Sequence, residues 1–290
     1  MRASHAARRC PVGLELCKKK PGIAILPETG SVLGIDVGFS RTRHSSAVCR
    51  LSWDLTSVGW QICRFRARDD ERREAIRRCV GGAALLSVAI DGPLKSGFPV
   101  IGKYRAAERM LTRRLRPYIG KPGQASAPVG QELNRYANLC ARDVLEICAV
   151  NSSQHKVAIH ERAVVEAFPS SYLGLLLDNP RLLQAVKANR SDMFFVGLMT
   201  KQTLEDFTHQ LAPRRQPQDL WTITNHDDRA AFVCALTALS IAANDFTAVG
   251  DEDGWIILPP DSLIAPWARP LLSENDSDDE TGRFVSSLAA

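Results

Sequence analysis

Three acids in this chain of 290 residues sit where short apolar runs end. Asp36 follows Val32-Leu33-Gly34-Ile35, Asp91 follows Val88-Ala89-Ile90, and Glu166 follows Ala163-Val164-Val165. Such runs, bounded by turn-forming or polar residues, have the length and composition of buried strands. An ionised carboxylate where a buried strand emerges must be paired, hydrogen-bonded or bound to a cation, because an isolated buried charge is very costly. Three strands that end in this way gather carboxylates at one place. Asp227 and Asp228 open a later alanine-rich segment, and taken alone they read as a helix cap and a first-turn acid.

The elements that must carry these acids follow from periodicity. Residues 32–37, 45–53 and 59–66 are expected as three strands, and the short connections between them imply antiparallel hairpins. Residues 69–78 place acids early and bases late, as the helix dipole favours, and stop at Gly81-Gly82. Residues 85–90 are almost wholly apolar, which suits a central parallel strand. A strongly basic helix is expected over 103–116 and a long amphipathic one over 132–150, separated by a Gly/Pro/Ala-rich loop at 120–130. The fifth strand is expected over 157–168, with Val164, Glu166 and Phe168 on one face and Val165 and Ala167 on the other.

Residues 181–189 and 200–211 are expected as peripheral helices of an insertion at about 172–215 that covers or flanks the site. The clearest helix is 226–243, and 254–260 is expected as a late edge strand closed by its prolines. Residues 1–30, with Arg8, Arg9 and Lys18 to Lys20, are expected as a basic arm with a short strand at 22–26. Residues 261–290 are expected as an acidic, disordered tail. The chain is thus an α/β domain over 31–260 with two appended segments.

Composition narrows the function classes. The formal charge of +5 understates local basicity, since acids concentrate towards the C-terminus while residues 64–116 are rich in arginine. That asymmetry suggests a polyanionic partner. None of the eight cysteines forms a Cys-x-x-Cys pair, so buried thiols in a reducing compartment are expected rather than zinc sites or disulfides. No apolar run reaches the roughly 18 residues that cross a membrane, and the basic N-terminus lacks the apolar core of a secretion signal. A cytoplasmic protein is expected.

The element order (three hairpin strands, helix, strand, helices, strand, final helix), with acids on the first, fourth and fifth strands and the last helix, resembles the ribonuclease H-like fold. In that fold the carboxylates hold two divalent cations. The resemblance implies Mg²⁺ or Mn²⁺, hard cations that take oxygen ligands, with Asp36 and Asp91 as the primary ligands and Asp227 or Asp228, together with Glu166, completing the metal and catalytic site. Two such ions roughly 4 Å apart can generate an attacking hydroxide and stabilise the leaving oxygen of a phosphodiester. At finer grain the chain is similar to the predicted-nuclease family called domain of unknown function 429. Four stretches carry this: Gly34-Ile-Asp-Val-Gly38; Ala89-Ile-Asp-Gly-Pro-Leu94 with Tyr104-Arg-Ala-Ala-Glu-Arg109; Val165-Glu-Ala-Phe-Pro169; and residues 227–238. The similarity implies a metal-dependent nuclease acting on DNA or RNA, with Arg41, Arg43, Lys95, Lys103, Arg105 and Arg109 meeting phosphates. One departure stands out: the family's last helix often carries a further aspartate one turn in, where this chain has Ala230.

Two other functions fit parts of the pattern. Gly34-Ile-Asp36-Val-Gly-Phe-Ser-Arg-Thr also resembles the first phosphate loop of sugar kinases and actin-like ATPases. Those proteins carry a second Asp-x-Gly-[Ser/Thr] loop mid-chain and a late Gly-Gly loop, whereas Asp91 is followed by Gly-Pro-Leu. A non-catalytic nucleic-acid-binding scaffold with a degenerate site is the other alternative, and Ala230 is its support. His44, His160 and His226 lie near the proposed segments, where a lone histidine is more often structural. No Gly-x-Ser-x-Gly elbow points to a serine hydrolase.

Overall fold

The computed structural model describes residues 26–95, 103–120, 122–158, 161–183, 189–273 and 282–287. Residues 22–25 of the anticipated strand, His160 and most of the basic arm lie outside them. Strands β1 (Gly30–Asp36), β2 (Ser46–Trp53) and β3 (Ser57–Phe65) form consecutive antiparallel hairpins. Strands β4 (Val88–Asp91) and β5 (Val164–Ala167) follow, each parallel to its neighbour on the β1 side. A two-residue strand, β6 (Gln216–Pro217), pairs with β3. β7 (Thr247–Asp251), β8 (Gly254–Leu258) and β9 (Arg283–Ser286) complete a mixed sheet of nine strands among the described residues. Its order is β6-β3-β2-β1-β4-β5-β8-β7-β9.

Helices cover both faces, so the central strands are buried on both sides. Helices α1 (Asp69–Val80) and α3 (Pro128–Ile147) pack on one face, over Leu33, Ile35, Val48, Ile90 and Val164. Helix α7 (His226–Ala242) packs on the other, against β1, β2 and β4. It is apolar on nearly every side because it is itself sandwiched, with residues from Ala230 to Ile241 buried. Its approach to the sheet depends on Gly34: a Cβ there would overlap the backbone of Ala231 and Ala235. Helix α2 (Ala106–Ile119) packs on β7 and β8.

Several expectations need correction. The strand at 254–260 is not an edge: β8 lies between β5 and β7, and its alternation is lost because both of its faces are covered. The segment past residue 261 is not structureless. It includes α8 (Ala268–Ser273) and β9, which hydrogen-bonds along β7. The fourth strand starts at Val88 and the fifth at Val164, later than apolar composition alone suggests. The helix anticipated at 181–189 is a 3₁₀ turn at Pro180–Leu183, and residues 184–188 lie outside the described set. The insertion contributes α4 (Pro169–Leu176), α5 (Arg190–Thr200) and α6 (Thr203–Leu211). These are core rather than peripheral: Phe194, Phe195 and Phe207 are fully buried, and the Phe195 and Phe232 rings meet edge to face at 6.2 Å. Among the described residues no helix is long and apolar enough to cross a membrane.

Candidate active site

Strand register brings the first two acids together. Asp36 and Asp91 are direct partners at the ends of the parallel pair β1 and β4, where neighbouring strands run about 4.8 Å apart. The same row continues through Ala47 of β2 to Arg64 of β3 on one side and to Ala167 of β5 on the other. Partnered residues share a face, and Gly34, two residues before Asp36, faces α7. The row therefore lies on the α7 side, beyond the point where that helix crosses β1.

The first turn of α7 reaches over this row. Its cap is Asn225, whose side-chain oxygen accepts from the backbone N–H of Asp227 at 2.9 Å and of Asp228 at 3.4 Å. The expectation that an aspartate serves as the cap is therefore wrong in detail. Because Asn225 does that work, both carboxylates are left for other partners. Asp228 Oδ1 stands 3.5 Å from Arg64 Nε, yet that buried oxygen accepts no hydrogen bond. Asp192 of α5 fixes the same turn from behind, 3.2 Å from both His226 Nδ1 and Arg229 Nη1. Ala230, one turn into the helix, is buried.

The electrostatics of the cluster are unfavourable as it stands. Burial pushes the Asp36 carboxyl well above the usual range, and the negative charges of Asp91, Asp227 and Asp228 push it further. Burial raises Asp91 to about 7. Asp228 is raised by burial, with Arg64 pulling the other way. Among the described residues no hydrogen-bond donor or cation reaches the Asp36 or Asp91 carboxylate, although both keep a solvent-facing surface. Two neighbouring carboxylates that no protein group neutralises have room for water, a shared proton or an added cation.

Glu166 departs from expectation. Its side chain lies on the face of Val164, opposite Val165 and Ala167, while at the strand ends it lines one cavity with Asp91. It is 1% exposed. Both of its oxygens accept from Arg105 Nη1 at 2.9 Å, and Oε1 also accepts from the backbone N–H of Leu94 at 2.8 Å. Arg105 in turn donates to Glu108 at 2.8 Å, and Glu108 takes the backbone N–H of Ala125. This network ties the segment after Asp91, the start of α2 and the following loop into one unit. Burial raises the Glu166 pKa, and Arg105 opposes that rise.

Arg105, also expected to meet phosphates, is spent inside this network and is buried. Arg109 is half-buried, while Arg41, Arg43, Lys95 and Lys103 are exposed. Arg64 and Asn225 are the site residues that sequence reasoning missed. Arg64 carries no signal without the strand register, whereas Asn225 immediately before a helical run was a readable cap.

Among the described residues no three His, Cys, Asp or Glu side chains stand close enough together to hold a metal ion unaided. The chain matches no protein-family model, no curated protein and no solved structure.

Proposed function

We propose that this protein is a divalent-metal-dependent nuclease with a ribonuclease H-like core. The carrying observation is the in-register pair Asp36 and Asp91, two carboxylates without a neutralising partner, under a helix that opens with Asp227 and Asp228. The strand order β3-β2-β1-β4-β5, antiparallel through the first three strands and parallel thereafter, supports the ribonuclease H-like reading. The donor set suits Mg²⁺ or Mn²⁺. Mg²⁺ in particular is often held by one or two carboxylates, its remaining positions filled by water and substrate phosphate oxygens, so a tight cage of three protein ligands is not required. A cation held here would supply Lewis-acid polarisation of a phosphodiester and activation of a water molecule.

The chain's own residues would do the rest. Asp36 and Asp91 would hold the cation. Asp228, oriented by Arg64, and Asp227 would bear on the water or phosphate that completes its shell. Glu166 and Arg105 act as positioning residues, fixing the segment that leaves Asp91. The kinase alternative is less well supported, because the loop after β1 has few amides to offer a phosphate. The N–H groups of Gly38, Ser40, Thr42 and Arg43 already donate to the Ser46, Ser45 and Ser40 hydroxyls.

Calorimetric titration with Mn²⁺ tests the proposal without a guess at the substrate. Binding by wild type that is lost in Asp36→Asn and in Asp91→Asn, together with Mn²⁺-dependent cleavage of DNA or RNA oligonucleotides, is the expected result. A well-folded wild type that binds no Mn²⁺ would overturn it.

A further inference from the structure

The loop at 37–45, between β1 and β2, begins one residue past Asp36. It is exposed but tightly pinned. Ser46 Oγ accepts from Gly38 N at 3.0 Å and donates to Gly38 O at 3.1 Å. Ser40 Oγ accepts from Arg43 N at 3.0 Å, and Ser40 O accepts from Ala67 N at 2.9 Å. Arg68 Nε donates to Arg41 O at 3.2 Å. A Cβ at Gly38 would collide with the backbone of Ser45, so the loop has little room to rearrange. On this fixed frame Phe39 leaves 44% of its surface in solvent, one of few large apolar side chains so exposed among the described residues.

The arginines around it divide into two kinds. Arg64 pairs with Asp228, Arg66 and Arg68 with Glu71, and Arg72 and Arg73 with Asp143. Arg41 and Arg43, on the loop itself, are exposed and have no acidic partner among the described residues. Two such cations on the same short loop as a solvent-facing aromatic ring, held rigidly beside a carboxylate cluster, form a pattern with a specific ligand chemistry. Aromatic rings stack on unpaired bases, and neighbouring guanidinium groups take the adjoining phosphates. Bases in a duplex are already stacked and shielded, so the ring has a partner only in a single strand.

We infer that Phe39, with Arg41 and Arg43, is a stacking and phosphate-binding platform that selects single-stranded nucleic acid at this site. The inference rests on the nuclease reading for its meaning but not for its test. Three residues of extended chain span at most about 10 Å, so a base on Phe39 lies within a few nucleotides of Asp36.

The test is fluorescence anisotropy in EDTA, where no turnover occurs, with labelled oligo-dT and oligo-U of about 12 nucleotides and a duplex of the same length. Wild type is expected to bind single strands more tightly than duplex. Phe39→Ala is expected to weaken single-strand binding about 10-fold or more, with Phe39→Trp retaining it and duplex binding unchanged. Removing Arg41 and Arg43 together is expected to weaken both kinds of strand and flatten the salt dependence, by about one unit of slope for each phosphate that is no longer neutralised. Comparison of oligo-dT with oligo-U decides between DNA and RNA. Single-strand binding by Phe39→Ala equal to wild type, or a wild-type preference for duplex, overturns the platform. If Mn²⁺ still binds at Asp36 and Asp91 in that case, the platform alone has failed. If single strands bind through Phe39 but Mn²⁺ does not bind, the nuclease reading has failed and the platform stands.

Discussion

Replacing Asp91 by asparagine should make the metal-free protein more stable at alkaline pH. Burial raises the folded-state pKa of Asp91 from an ordinary 3.8 to about 7. A raised carboxyl pKa means that the native state holds its proton more tightly than the unfolded chain does. Native and unfolded chains differ little below about pH 4, and stability then falls as pH climbs towards 7, where the native carboxyl is finally forced to ionise. A shift of about three pKa units corresponds to a ceiling of about 4 kcal/mol, and solvent relaxation and coupling to Asp36 bring the expected gain to about 1–3 kcal/mol. For a chain of this size that is a Tm increase of about 2–8 °C. Thermal unfolding of wild type and Asp91→Asn in EDTA at pH 8 and pH 4 would measure it. The gain should be present at pH 8 and absent at pH 4. Added Mn²⁺ should reverse the order at pH 8, since a ligand at about 1,000 times its Kd stabilises the wild type by about 4.1 kcal/mol. An Asp91→Asn protein that is less stable than wild type at pH 8 in EDTA, or equally favoured at both pH values, would refute the view that this carboxylate is uncompensated in the native fold.

Two other substitutions separate framework from chemistry. Glu166→Ala should cost about 3–5 kcal/mol by leaving Arg105 buried without its main partner, while Mn²⁺ affinity per folded molecule changes little; chemical denaturation and calorimetry together check this, and a selective loss of metal binding would return Glu166 to the metal site. Gly34→Ala should cost about 1–3 kcal/mol or more, because the new methyl meets the α7 backbone rather than a movable side chain; an unchanged Tm would show that the helix can lift off β1.

The buried ion network gives Glu166 a meaning that fits its position within β5. Glu166 and Arg105 are both almost wholly buried, and a charged pair there is weak evidence for stability in itself. What the pair does is geometric. It takes up the amides of Leu94 and Lys95, which otherwise emerge from β4 with no strand to bond to, and it anchors the start of α2. The direction in which the chain leaves Asp91 is therefore fixed by groups that lie on the opposite face of the sheet.

Much of this molecule was determined locally. The hairpin order of β1 to β3, the extent of α1 and α7, and the placement of Asp36 and Asp91 at strand ends follow from alternation, charge order and apolar run length within a few residues of each site. Those signals depend only on near neighbours in the chain. What the sequence left open depends on partners far away in it. Strand register put Arg64 into the row with Asp36. The insertion of β8 beside β5 made an interior strand of a segment that ends in prolines, and the pairing of β9 with β7 gave structure to an acidic end. The pleat of β5 sent Glu166 to the face of Arg105, 61 residues away in sequence. Alternation had already separated Glu166 from Val165 and Ala167, but which face held the other acids was settled only by the packing of α7 on Gly34. A side chain's type and its position in a strand are local properties, whereas the face that becomes a site is chosen by the helix that covers it.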